Sequence, residues 1–241
     1  MLLAFLFSGN SLRLQNETSK DPGGIKPILT VSLCQTIHIL DHINSINEAI
    51  GATDIYLIDQ IMKNRYKADD TILDAGCGAG RNLHWFLQNN IMIYGVDQDG
   101  GAINNLRSRS PSLAADRFRQ SSVEKLPFED NYFSHIISSA VLHFARDTIQ
   151  FHRMVAEMVR VLKPNGSLFI RMTSDIGIED KVTLLGDGVY NIPDGSTRFL
   201  LTRALLADVL KKNKLSFLEP LKTVNVNDVR CMSTLVVAKS A

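Results

Sequence analysis

The chain has 241 residues, 45% hydrophobic and 21% charged, with a formal net charge of +1. These values suit a soluble globular protein built as one α/β domain with a sizeable core, and they give no sign of a general polyanion binder. Cys34, Cys77 and Cys231 are far apart and form no C-x-x-C pair, so neither a metal cluster nor a disulfide framework is indicated, and a reducing cytoplasm fits.

The first residues, M-L-L-A-F-L-F, are apolar but too few to span a bilayer. They lack a basic leader and pass into a polar stretch without an A-x-A-like cleavage site, so residues 1–24 are expected to be a loosely ordered extension with no membrane role. Asp21-Pro22-Gly23-Gly24 closes it with turn residues, and 25–241 is expected to form the domain. Ile39, Ile43, Ile46 and Ile50 recur at helical spacing before Gly51, and Ile55, Ile58, Ile61 and Met62 suggest a second helix, so a two-helix cap precedes the first strand. Strands are then expected at Ile72–Ala75, Met92–Val96, Arg117–Gln120, His135–Ser139 and Ser167–Met172. Helical segments fall between them, near Arg81–Gln88, Ala102–Arg107 and Thr148–Leu162. Such alternation implies right-handed crossovers and a parallel sheet covered on both faces.

The stretch T-I-L-D-A-G-C-G-A-G-R-N-L-H-W-F, from Thr71 to Phe86, carries the chemistry. A buried strand ends at Asp74, and Gly76, Gly78 and Gly80 turn the chain toward a helix. Glycine permits unusual dihedrals and close approach of a ligand to the main chain, at the carboxyl end of a strand where open α/β sheets bind ligands. A dinucleotide fingerprint counted from Gly76 would need glycine where Arg81 stands, and no G-K-[ST] follows to make a phosphate-binding loop. The remaining pattern, Asp74-x-Gly76-x-Gly78-x-Gly80, resembles the first motif of the class I S-adenosylmethionine (SAM)-dependent methyltransferases.

Three further segments extend that resemblance over residues 36–241. Y-G-V-D-Q-D places Asp97 roughly 20 residues beyond the glycines, where an acid can accept hydrogen bonds from both ribose hydroxyls. S-S-V-E-K-L-P-F-E-D-N-Y-F-S, from Ser121, is similar to the family's G-D-A-x-x-L-P-F-x-D-x-x-F-D segment. V-L-K-P-N-G-S-L-F-I, from Val161 to Ile170, is similar to its helix, Pro-Gly turn and fifth strand. The resemblance implies a three-layer, seven-stranded, mainly parallel sheet with an antiparallel C-terminal strand: a sixth strand near Ser216–Asn225 pairs with Met232–Lys239. It also implies SAM as cofactor and an N-terminal helical cap over it. Cofactor contacts are implied for Asp74, Gly76, Gly78, Gly80, Arg81, Asp97, Gln98, Ser122, Val123, Glu124 and Ser139. Ser121 and Ser122 stand where the family usually has Gly-Asp, which shifts adenine recognition toward the Val123 backbone. Ser134 replaces an aspartate before the fourth strand.

Several residues have two readings. Asp74 can cap the glycine turn or meet the methionine amino group. Arg81 can pair with the cofactor carboxylate or face solvent, and Cys77 reads as small filler. His84, Trp85 and Phe86 pack the helix or rim the pocket. His143, after the fourth strand, is the candidate general base, against a structural histidine at a strand end. Asp175, Tyr190 and Arg198 lie in a turn-rich segment where the family places substrate-facing loops. With dispersed charges and no basic run, a small-molecule acceptor is favoured over RNA or protein. A SAM-sensing module without catalysis remains the alternative, and an NAD-dependent oxidoreductase is disfavoured by Arg81 and the L-P-F segment. Nothing in the sequence indicates an oligomeric state.

Overall fold

A computed structural model describes residues 46–113 and 115–241, all within the unit His42–Ala241. The expected extension 1–24, Cys34 and most of the first cap helix lie outside the described residues, of which 46–50 are helical. The second cap helix is α1, Ile55–Met62, started by Asp54, whose side chain accepts the Tyr56 N–H. Then follow β1 (Thr71–Ala75), α2 (His84–Gln88), β2 (Met92–Asp97), α3 (Gly100–Arg109), β3 (Phe118–Gln120), β4 (Phe133–Ser139), α4 (Thr148–Val161) and β5 (Leu162–Ser174). The C-terminal part holds β6 (Thr183–Gly186), β7 (Val189–Asn191), β8 (Thr197–Phe199), α5 (Arg203–Lys212), β9 (Leu215–Phe217), β10 (Lys222–Val226) and β11 (Arg230–Lys239).

The main sheet runs β10-β11-β5-β4-β1-β2-β3, parallel from β3 to β5, with β11 reversed against β5. Both β9 and β10 pair antiparallel with β11, at opposite ends of it, so the expected sixth strand is one edge strand broken around residues 218–221. This is the expected three-layer sheet with its reversed edge.

Alternation of side chains across the strands separates two cores. Leu73, Ile136, Leu168, Ile170, Leu235 and Val237 pack with Phe151, Val155 and Met158 of α4 and with Leu206 of α5. Their strand neighbours Ile72, Ile137, Phe169 and Val236 pack with Leu57, Phe86, Ile103 and Leu106 of α1, α2 and α3. The buried positions of α4, Phe151, Met154, Val155, Met158 and Val161, recur at the helical period that faces one sheet. Each fully buried Leu or Phe contributes about 1.5–3 kcal/mol by leaving water. At the amino ends of the strands, His135 joins Ser167 (2.6 Å) to Asp70 (3.0 Å), a partly buried polar clasp.

Two segments differ from expectation. Residues 81–83 continue the glycine turn and α2 starts only at His84, because Leu83 supplies no side-chain cap and the positive-φ glycines delay regular helix. The turn-rich stretch after β5 is an antiparallel meander, β6-β7-β8, its turn residues serving as hairpin corners: Asp187 and Gly188 have φ 43° and 84°.

Candidate functional site

The turn after Asp74 is pinned to the next strand, since the Gly76 and Cys77 N–H groups both donate to Val96 O at 2.8 and 2.9 Å. Gly76, Gly78 and Gly80 have φ of 87°, 51° and 83°, yet they are needed for different reasons. A Cβ on Gly76 would lie 2.4 Å from Val141 Cγ2, and one on Gly80 would lie 2.4 Å from Leu106 Cδ2. At Gly78 the nearest atom is Asp97 Oδ2, at 4.0 Å. The outer glycines admit neighbouring side chains, while Gly78 leaves open space above its own main chain.

That space belongs to a cavity of about 390 Å³, within the range of small-ligand sites. Gly76 and Gly78, Asp97 and Gln98, and Ser122 and Val123 line it, each pair at or just beyond the carboxyl end of β1, β2 and β3 respectively. Ala140, Val141, Gln150 and Met154 also line it, with Phe144. Those four were not singled out from the sequence. The A-V that follows β4 and the inward face of α4 were readable as positions, but only the fold brings them opposite the glycines.

Asp97 Oδ2 accepts the Gly78 N–H at 2.8 Å and Oδ1 accepts the Asp99 N–H at 2.9 Å. Each oxygen therefore keeps capacity for another donor. Ser122 Oγ accepts the Glu124 N–H at 3.2 Å. Glu124 itself lies off the cavity, its Oε1 buried and unpaired among the described residues. Gly80 also lies off the lining.

Asp74 is buried beneath the turn, and neither carboxylate oxygen has a partner among the described residues. Burial is the main force pushing its carboxyl up to about 7; Arg81 opposes this and Asp97 adds to it. Cys77 packs against Gly95, where an added Cβ would meet its Sγ at 2.8 Å, and burial raises its thiol pKa. His84 bonds the Glu48 carbonyl, and Trp85 sits edge-on to the buried Phe86.

Arg81 and Ser139 belong to a separate network. Arg81 Nη2 donates to Ser139 Oγ at 3.0 Å, and Ser139 Oγ donates to Asp54 Oδ2 at 3.0 Å. The same Asp54 oxygen is 3.5 Å from Arg81 and 3.4 Å from Arg171, whose guanidinium lies over the Tyr56 ring. These contacts tie the start of α1 to the carboxyl ends of β4 and β5. Asp54 was not singled out from the sequence; it both caps α1 and gathers two arginines.

His143 lies in the short helical turn Leu142–Phe144, with Nδ1 accepting the Thr173 N–H at 3.4 Å. Burial, then the charges of Arg198, Arg230 and Arg171, push its pKa down to about 4. The ring is neutral near pH 7 and, with Nδ1 accepting, carries its proton on Nε2. It faces a second cavity, of about 280 Å³, also lined by Arg171, Thr173, Arg198, Arg230 and Met232. Ala140, in the left-handed region at φ 63°, borders both cavities. Tyr190 pairs with Arg198 across β7 and β8 and lines neither cavity, and Asp175 follows β5 with its carboxyl raised by burial.

A mostly parallel sheet with a reversed edge, a glycine turn after β1 and an acid ending β2 together define a class I methyltransferase fold. Residues 73–170 match the family model described as a methyltransferase domain. Residues 73–170 are thus similar to a methyltransferase domain, on the fold that SAM-dependent methyltransferases adopt. The uncharacterized methyltransferase YodH of Bacillus subtilis is 35% identical over 113 residues, 46% of this chain and 43% of that protein. The human protein named probable tRNA methyltransferase 9B is 32% identical over 105 residues, 43% of this chain and 21% of that one. The chain thus spans less than half the length of these curated relatives. Among solved structures, the 1,6-didemethyltoxoflavin-N1-methyltransferase of Burkholderia thailandensis, with bound 1,6-didemethyltoxoflavin and S-adenosylhomocysteine, superposes with a TM-score of 0.60 at 16% identity. It covers 90% of this chain and 94% of its own.

The residues present fit the cofactor. Gly78 offers bare main chain to the cavity, and Asp97 offers free acceptor capacity beside it. Among the described residues no helix is long and apolar enough to cross a membrane.

Proposed function

We propose that the chain is an enzyme that transfers a methyl group from SAM to a small-molecule acceptor. The observation that carries this reading is the meeting of two cavities at Ala140: one bears the glycine turn and Asp97, the other is large enough for part of a small acceptor. A concave site beside the cofactor cavity suits a small molecule, and a formal charge of +1 offers no general attraction for a long polyanion.

When bound, SAM supplies an activated methyl: the acceptor's lone pair forms the new bond, the carbon–sulfur pair stays on sulfur as a neutral thioether, and the acceptor's proton leaves to solvent. The chain's own work is binding, alignment and exclusion of water. In this reading Asp97 holds the ribose hydroxyls, while Gln98, Ser122 and Val123 frame the adenine. Gly76 and Gly78 admit the methionine portion, and Asp74, unpaired beneath the turn, supplies negative charge near its ammonium. Arg81, Ser139 and Asp54 position α1, and Val141, Phe144 and Met154 keep the methyl's surroundings apolar. His143 serves as a hydrogen-bond donor rather than a base, because its free nitrogen already carries the proton.

Calorimetry with SAM, S-adenosylhomocysteine and NAD, followed by transfer of labelled methyl into a metabolite extract and into bulk tRNA, tests the proposal. Binding of the first two with label in a small metabolite is expected. Label confined to tRNA would replace the acceptor class, and binding without transfer into either would indicate a SAM-sensing module.

A further inference from the structure

The second cavity is built from cations brought together by distant parts of the chain: Arg171 from β5, Arg198 from β8 and Arg230 from the start of β11. The acids that neutralise them are few. Asp54 lies 3.4 Å from Arg171 but is shared with Arg81, and Asp194 lies 3.8 Å from Arg230. Arg198 has no carboxylate within 4 Å among the described residues; its guanidinium sits 5.2 Å over the Phe144 ring, which lines the cofactor cavity. The local balance is four guanidinium groups, counting Arg81, against two carboxylates. Arg171 Nε is buried and lacks a partner among the described residues. The neutral His143 adds an Nε2–H donor to the same wall. Arg171 is 21% exposed and Arg230 half exposed, so the converging cations repel one another until an anion completes them, and planar guanidinium groups suit the paired oxygens of an oxyacid.

We propose that this cavity binds an anionic oxyacid group, a carboxylate or a phosphate, of the methyl acceptor, held by Arg171, Arg198 and Arg230. The group is an anchor and not the methylated atom, since an oxygen whose lone pairs are engaged by guanidinium groups is a poor nucleophile. The accepting atom lies elsewhere in the acceptor, on the Ala140 side that borders the cofactor cavity, and the product keeps its negative charge. This inference rests on the methyltransferase reading above and names the acceptor's chemical class.

The test uses the full chain and the variants Arg198→Gln and Arg230→Gln, each checked by circular dichroism and by S-adenosylhomocysteine calorimetry. Phosphate and benzoate are titrated as probes against protein saturated with S-adenosylhomocysteine. Separately, labelled methyl is transferred into a metabolite extract and the product is run on an anion exchanger, with and without phosphatase treatment. Expected are weakening of at least one probe by about tenfold in each variant, unchanged S-adenosylhomocysteine affinity, and a labelled product retained by the exchanger. Loss of retention after phosphatase identifies a phosphate, and persistence identifies a carboxylate. Equal probe binding by wild type and variants, or a product that carries neither a carboxylate nor a phosphate, overturns the inference. Failure to bind S-adenosylhomocysteine at all would instead remove the methyltransferase reading, which the probe titrations alone do not test. If either variant fails to fold, the charge of the wild-type product decides.

Discussion

Alanine at Gly78 and at Gly80 should separate two effects that a glycine-rich turn usually confounds. Gly80 has φ 83° and a Cβ there would stand 2.4 Å from Leu106 Cδ2, in a buried core. The unfavourable dihedral costs of order 1–3 kcal/mol, and overpacking adds about 1–3 kcal/mol, so Gly80→Ala should lose about 2–6 kcal/mol of stability. Gly78 has φ 51° with no atom nearer than 4.0 Å to the added Cβ. Its substitution meets only the left-handed backbone penalty, about 1–2 kcal/mol. The new methyl would, however, project into the cofactor cavity, and a methyl forced against a bound ligand at 1–3 kcal/mol weakens SAM by about 5–150-fold. Urea unfolding ranks the variants in stability, and calorimetry with SAM ranks the folded ones in affinity. If Gly80→Ala is as stable as Gly78→Ala, or if Gly78→Ala binds SAM like the wild type, the assignment of one glycine to packing and the other to the ligand is wrong.

Asp97→Ala should weaken SAM by about 1.5–3 kcal/mol, the range for hydrogen bonds to a charged group, as read by calorimetry at constant salt; unchanged affinity would place the ribose elsewhere. Asp74 has a folded pKa raised to about 7, so any stability it lends is present at low pH and lost as pH rises through 7. Asp74→Asn should therefore gain stability over wild type as pH rises from about 4 to 7 in urea unfolding, while weakening SAM; a pH-independent difference would contradict the buried, unpaired carboxyl. The folded pKa of His143, about 4, lies below the ordinary histidine value, so the unfolded chain binds more protons between about pH 4 and 6.5 and stability falls as pH drops through that window. His143→Gln should flatten that fall, and the kcat/KM profile of the wild type should show no histidine inflection near pH 6.5. An inflection there that vanishes in the variant would restore His143 as a base.

The glycine-turn side of the candidate site was legible because local spacing encodes it. Asp74, Gly76, Gly78 and Asp97 fall within one β-turn-helix-β unit, and parallel pairing that sets Asp74 beside Gly95 brings the turn and the second acid together without help from the rest of the chain. The arginine cavity follows a different rule. Arg171, Arg198 and Arg230 stand alone in sequence, and only the reversed pairing of β11 with β5 and the folding back of the β6-β7-β8 meander bring them to one cavity. The meander was hidden for a related reason: Gly186-Asp187-Gly188 and Pro193-Asp194-Gly195 signal turns, but short strands with exposed faces leave no apolar period between them. Arg81 shows the same limit within the motif itself, since its position after the glycines suggested a cofactor carboxylate, while its guanidinium reaches Ser139 and Asp54, which lie 58 and 27 residues away along the chain. The cavity at the glycine turn draws its turn and acid from one compact unit and so remains readable in it, whereas the arginine cavity depends on contacts among separate elements, where a single arginine changes the chemistry without disturbing any local pattern.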